Sequence, residues 1–171
     1  MRYAIVGAGA IGAFLGAKLS VAGEDVFLIG RGPHLHAMQS DGVTIRGSKG
    51  DFCAYPLATE DPATVGPVDV VFITLKAHSL TDMAPSLSPL LGPDTPVVAA
   101  QNGIPWWYLQ CHGGPWEGTH LESVDPGCVI ARAIETRRII GCVVYPTTVV
   151  IKPGTIQHIE GDRFVIGELD G

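Results

Sequence analysis

The chain is short of charge. Only 16% of its 171 residues are Asp, Glu, Lys or Arg, while 46% are apolar. A chain this apolar is expected to have part of its surface covered by something else. It also lacks any excess of basic residues: 11 Lys and Arg stand against 17 Asp and Glu, for a formal net charge of −6. That balance excludes a general nucleic-acid binder. No window reaches the ~18 uninterrupted apolar residues of a membrane span, which leaves no membrane partner to expect. Cys53, Cys111, Cys128 and Cys142 form no C-x-x-C pair and read as reduced thiols of a cytoplasmic protein. Metal-ligand spacing is missing too, both among the cysteines and among the six histidines, so no metal is expected. His34 and His36, close to Arg31, read as solvated loop histidines near an anion.

What is present is concentrated at the start. Tyr3 to Val6 is a short apolar run suited to a buried strand. Gly7-Ala8-Gly9-Ala10-Ile11-Gly12 follows at once, a G-x-G-x-x-G. Ile11, Phe14, Leu15, Leu19 and Val21 then recur at roughly helical spacing, Gly23 ends the helix, and Val26 to Ile29 is a second strand. Strand, glycine turn, helix and strand in this order form the setting in which the motif means dinucleotide binding. Gly7 permits the tight turn, Gly9 lets the backbone approach a pyrophosphate, and Gly12 lets the helix pack close to the strand. The helix N-terminus offers N–H groups and a positive dipole end to the phosphates. Five glycines in the first 23 residues and the strand directly downstream argue against a secretory signal peptide. After the second strand an NAD site usually carries an acidic residue for the ribose 2′-hydroxyl. Here the chain reads Gly30-Arg31-Gly32. The guanidinium fork of Arg31 suits a 2′-phosphate, so the expected cofactor is NADP.

Further along, Pro33 to Ser40 reads as a short helix. Val43 and Ile45, with Phe52, Ala54 and Tyr55, flank Gly47 to Gly50 as an inserted hairpin or pair of extended segments. Asp69 to Leu75 is an apolar, β-branched strand of the parallel-sheet kind, ending at Lys76. A helix is predicted from about Leu80 to Leu91, stopped by Gly92-Pro93. The next strand, Thr95 to Ala100, runs into Gln101-Asn102-Gly103. In open α/β sheets ligands bind outside the carboxyl ends of strands, so Lys76, Asn102 and the glycine turn are expected to share one site. Ile104 to Cys111 is predicted to be helical, with Trp106, Trp107 and Tyr108 as core packing or a covered patch. His112 to Pro126 reads as a long loop. Arg132, Arg137 and Arg138 read as a solvated face. Ile139 to Tyr145 is a buried strand, Val149 to Lys152 and Thr155 to Ile159 form a hairpin about Pro153-Gly154, and Phe164 to Ile166 is one more strand. The expected fold is α/β: one domain over 1–171, a Rossmann-like, doubly wound, mainly parallel sheet. Its βαβ core covers about 1–112 and its strand-rich end about 139–168.

GAGAIG at 7–12, Arg31, TLKA at 74–77, QNG at 101–103 and GCVVYPTTVVIKPGTIQHI at 141–159, followed by GE at 167–168, carry a resemblance. From Met1 to Gly171 the chain resembles the N-terminal domain of the ketopantoate reductase (2-dehydropantoate 2-reductase) family. The resemblance implies NADPH-dependent reduction of 2-dehydropantoate to pantoate, a step toward pantothenate and coenzyme A. It implies that Gly7 to Gly12 hold the pyrophosphate and Arg31 the 2′-phosphate. Lys76 would contact the cofactor, Asn102 both cofactor and substrate, and Pro146 would lie toward the nicotinamide. The family continues into a helical C-terminal domain that supplies the proton-donating lysine and most substrate contacts. That domain is absent from these residues, so no catalytic residue is assigned in them. The chain is expected to bind NADP, to be inactive on ketopantoate alone, and to self-associate, a homodimer being the simplest form. Trp106 to Pro126 departs from the family, being more irregular than the helix usual there. Other functions carry the same opening: an opine or 6-phosphogluconate-type dehydrogenase acting on a different carboxylate substrate, a reductase of this family type acting on a different 2-keto acid, and non-catalytic NADP binding or sensing.

Overall fold

The computed structural model describes residues 1–111 and 113–169; His112, Asp170 and Gly171 lie outside the described residues. The chain runs β1 (Arg2–Val6), α1 (Ala10–Val21), β2 (Asp25–Ile29), α2 (Gly32–Asp41), β3 (Val43–Arg46), β4 (Phe52–Ala54) and β5 (Leu57–Thr59). It continues with β6 (Val70–Ile73), α3 (Ala77–Met83), β7 (Val97–Ala100), α4 (Val129–Ala133), β8 (Ile139–Val144), β9 (Thr147–Lys152), β10 (Thr155–Glu160) and β11 (Phe164–Glu168). Seven strands form one sheet in the order β11-β8-β7-β6-β1-β2-β5. Every neighbouring pair in it is parallel except β11 with β8. Chain order reverses between β1 and β6, which makes that boundary the switch point of a doubly wound sheet.

Alternation along β1 divides the core. Ala4 and Val6 face one layer with Val71, Ile73, Val97 and Ala99, packed under Leu80, Leu87, Leu90, Ile130 and Ile134. Ile5 faces the other, with Val26 and Leu28 against Ala13, Phe14 and Ala17 of α1. Gly16 permits that contact, since a Cβ there would lie 2.5 Å from Leu28 Cδ2.

The inserted hairpin and the late hairpin are both present, and they meet. They form a second sheet, β4-β3-β10-β9, whose central pair β3 and β10 is parallel, Thr44 opposite Thr155. Its buried Val43, Ile45 and Ile156 share a cluster with α1, which therefore lies between the two sheets.

Four expectations are corrected. The helix predicted over 80–91 is α3 ending at Met83, then two 3-10 turns at Ala84–Ser86 and Ser88–Leu90. Pro85 and Pro89 each start a turn, because a ring nitrogen without N–H cannot continue the helical ladder. Residues 104–111 form successive turns instead of a helix, held by Tyr108 N–H on Pro105 O (3.2 Å) and Gln110 N–H on Trp107 O (2.9 Å). Left-handed Cys111, at φ 59°, ends that run. Arg138 is not solvated: it donates to Gly92 O at 2.8 Å and Thr95 O at 3.1 Å, leaving 9% of its side chain exposed. His34 is half-buried and hydrogen-bonded.

Candidate dinucleotide site

Five parallel strands end along one edge, and the predicted residues follow them directly. Across the sheet the order is Pro146 after β8, Asn102 after β7, Lys76 after β6, the glycine turn after β1 and Arg31 after β2. Arg31 and Asn102 stand three inter-strand steps apart, about 14 Å at the usual spacing. The edge therefore presents an elongated row, with one feature per strand.

The glycine turn is seated from beneath. The Gly7 and Ala8 N–H groups both donate to Ile29 O, at 2.9 and 3.0 Å. Gly7 has φ +106°, and a Cβ on it would lie 2.7 Å from Leu75 N. A Cβ on Gly12 would lie 2.3 Å from Gly7 O and 2.5 Å from Thr74 Oγ1. A Cβ on Gly9 would meet nothing within 4 Å. Two of the glycines are thus required by the fold, while Gly9 is exposed and opens toward the outside of the turn. Gly9 is also the N-cap of α1, with no side-chain cap and no acidic residue in the first turn. The first N–H groups of the helix, from Ala10, Ile11 and Gly12, lack intrahelical partners and suit an anion. These observations fit a dinucleotide pyrophosphate.

Arg31 is the extended N-cap residue of α2, exposed and without an ion pair among the described residues. Lys76 is the exposed, extended N-cap residue of α3. Asn102 is exposed, and its amide is engaged: Nδ2 donates to Val144 O at 2.9 Å, and Oδ1 accepts from Val144 N–H at 3.0 Å. It pins the end of β7 to the end of β8. Pro146 is buried against the Gly161 turn, where a Cβ on Gly161 would lie 3.1 Å from Pro146 Cα.

Three supporting contacts escaped the sequence reading. Thr74 Oγ1 donates to Gly7 O at 2.7 Å, tying β6 to the glycine turn. Gln101 Nε2 donates to Leu75 O at 2.5 Å, holding the loop that carries Lys76. A polar residue directly after an apolar strand was the available signal in both cases. His34 Nδ1 accepts from Gly154 N–H at 2.9 Å, and its buried Nε2 has no hydrogen bond. Burial is the main cause that lowers its pKa, partly opposed by the Ala8 backbone. A cavity of about 330 Å³ elsewhere in the molecule shares no residue with this edge. Among the described residues no group of His, Cys, Asp and Glu could hold a metal, and no helix is long and apolar enough to cross a membrane.

The fold and its edge define a Rossmann-type α/β domain. Residues 3–106 match the family model described as ketopantoate reductase PanE/ApbA. A 2-dehydropantoate 2-reductase of Mesorhizobium japonicum is 46% identical over 100% of this chain and 53% of its own length. A Ralstonia solanacearum MolK2 protein of known structure superposes with a TM-score of 0.94 at 43% identity, over 99% of this chain and 53% of that one. D-mandelate dehydrogenase in complex with NADH and anilino(oxo)acetate shares the fold, with a TM-score of 0.78 at 22% identity over 99% and 49%. The chain belongs to the ketopantoate reductase PanE/ApbA family. It spans about half the length of the curated relatives it matches end to end.

Proposed function

We propose that this chain is the cofactor-binding unit of an NADPH-dependent 2-keto acid reductase, with 2-dehydropantoate as the substrate and pantoate as the product. The observation that carries the reading is the row of Arg31, the glycine turn, Lys76 and Asn102 along one carboxyl edge, in the order a dinucleotide would meet them. Reduced nicotinamide, when bound, supplies a hydride to a carbonyl carbon. The residues of this chain bind and orient. The N–H groups of Ala10 to Gly12 take the pyrophosphate, which Gly9 lets approach. Arg31 pairs with the 2′-phosphate and so selects NADPH over NADH. The Lys76 ammonium adds positive charge beside the cofactor phosphates and the acidic substrate. Asn102, fixed by Val144, keeps the loop after β7 at the nicotinamide end, where it contacts cofactor and substrate. Pro146 backs the same end from β8. The proton for the developing alkoxide is assigned to no residue of 1–171, and the isolated chain is expected to bind cofactor without turnover.

Calorimetric titration of NADPH and NADH into the chain and into Arg31→Ala tests this. Hydrogen bonds to a charged group contribute about 1.5–3 kcal/mol, so NADPH should weaken roughly 10- to 100-fold in the variant while NADH stays unchanged. Equal affinity for the two cofactors in both proteins would contradict the assignment of Arg31.

A further inference from the structure

A cavity lies between the outer face of α1, the β3–β4 hairpin and the start of β11, apart from the row described above. Its volume, about 330 Å³, falls in the range of small-molecule sites. It is an open cleft, lined by the aromatic rings of Phe14, Phe52, Phe164 and His158. Phe14, Ile45, Phe52 and Phe164 make the apolar wall. Phe14 and Ile45 are 3% and 2% exposed, and His158 stacks on Phe14 at 4.5 Å between ring centroids. The floor is therefore set by packing.

The charge at the rim is positive. Lys18 follows Phe14 by one helical turn, and its ammonium stands 4.7 Å from the Phe52 centroid and 5.7 Å from that of Phe14. It makes no carboxylate pair among the described residues. Lys49 pairs with Asp162 at 3.2 Å across the opening, with both side chains well exposed. An exposed pair of this kind is weak, so it opens at little cost and frees a second ammonium. An apolar wall with an ammonium free of carboxylates at its mouth matches a small apolar body bearing one negative charge.

We propose that this cavity is a second ligand site, for a small monocarboxylic acid with an aromatic or branched aliphatic body. The body lies between Phe14, Phe52 and Phe164, and the carboxylate meets Lys18. The inference does not depend on the proposed reductase activity. The test is an amide-resolved NMR titration of the chain with 3-phenylpropionate, and with its neutral amide as the control. The acid should shift resonances of residues 14–18, 45–52 and 158–164. It should bind about tenfold more tightly than the amide, the value of one charge-assisted contact. Lys18→Met, a solvent-facing change of similar length, should reduce the acid to the affinity of the amide. Phe52→Trp, which adds bulk to the wall, should weaken both. NADPH affinity should be unchanged in the two variants. No shifts at millimolar acid, equal binding of acid and amide, or shifts centred on residues 7–12 would each overturn the proposal.

Discussion

The two sheets of this molecule are assembled from the chain in opposite ways. In the seven-stranded sheet β1 and β2 pair across a single helix, and β6 and β7 across α3 and the two 3-10 turns after it. In the four-stranded sheet the central pair joins Thr44 to Thr155, from opposite ends of the sequence. The first sheet carries the glycine turn, and the second carries none of the predicted site residues. Yet the second clamps α1, the helix whose N-terminus that turn creates. Local order builds the candidate site, and long-range pairing fixes the helix behind it.

Deleting side chains from each sheet sharpens the contrast most. Leu28 and Ile156 are both 0% exposed, within the cluster that surrounds α1. Leu28→Ala and Ile156→Ala should each lower unfolding stability by about 2–5 kcal/mol in urea melts. If Ile156→Ala cost nothing, the second sheet would be an accessory and not a clamp.

Two glycines of one turn separate fold from binding. Gly12→Ala forces a methyl to within 2.3 Å of Gly7 O, so it should lower stability by about 1–3 kcal/mol or more and abolish NADPH binding. Gly9→Ala meets no protein atom within 4 Å. It should leave the melting temperature nearly unchanged while weakening NADPH at least tenfold, by the 1.4 kcal/mol that one obstructed phosphate contact represents. Thermal melts beside cofactor titrations check both.

Asn102→Ala removes two hydrogen bonds that join β7 to β8. The expected loss is about 1–2 kcal/mol of stability, measured by urea unfolding, because each bond contributes about 1 kcal/mol. A fall in NADPH affinity without any stability change would mean that its amide turns to the cofactor and leaves Val144.

The smallest effect is a pH dependence. His34 accepts from Gly154 N–H through Nδ1, so protonation opposes that bond, and burial lowers its pKa below 6.5. The folded state thus favours the neutral ring. Its contribution is complete above pH 6.5 and declines as pH falls below it, until the folded form is protonated as well. His34→Gln should flatten that part of the stability profile, with a change of about 1 kcal/mol or less.

Much of this was legible in the sequence where the signal was local. The β1–α1–β2 unit follows from apolar runs broken by glycines, and the strands after it from β-branched runs ending in polar residues. What escaped had distant causes. β5 is three residues long and exists because β2 needs an outer neighbour, so its own sequence carries almost no period. The parallel match of β3 with β10 joins two hairpins that each read as complete. Arg138 looks like surface by type, and only the fold brings the Gly92 and Thr95 carbonyls to it. The helix predicted over 80–91 has the right apolar spacing, but Pro85 and Pro89 interrupt its ladder. The candidate site itself was legible as a set because each member follows a strand, although the pairing of Asn102 with Val144 was not.

A crystal structure of the chain grown with NADPH tests the central claim most directly. The pyrophosphate is expected against the N–H groups of Ala10 to Gly12, the 2′-phosphate on Arg31, and the nicotinamide toward Asn102. NADPH bound elsewhere, or bound here with its 2′-phosphate away from Arg31, would contradict it.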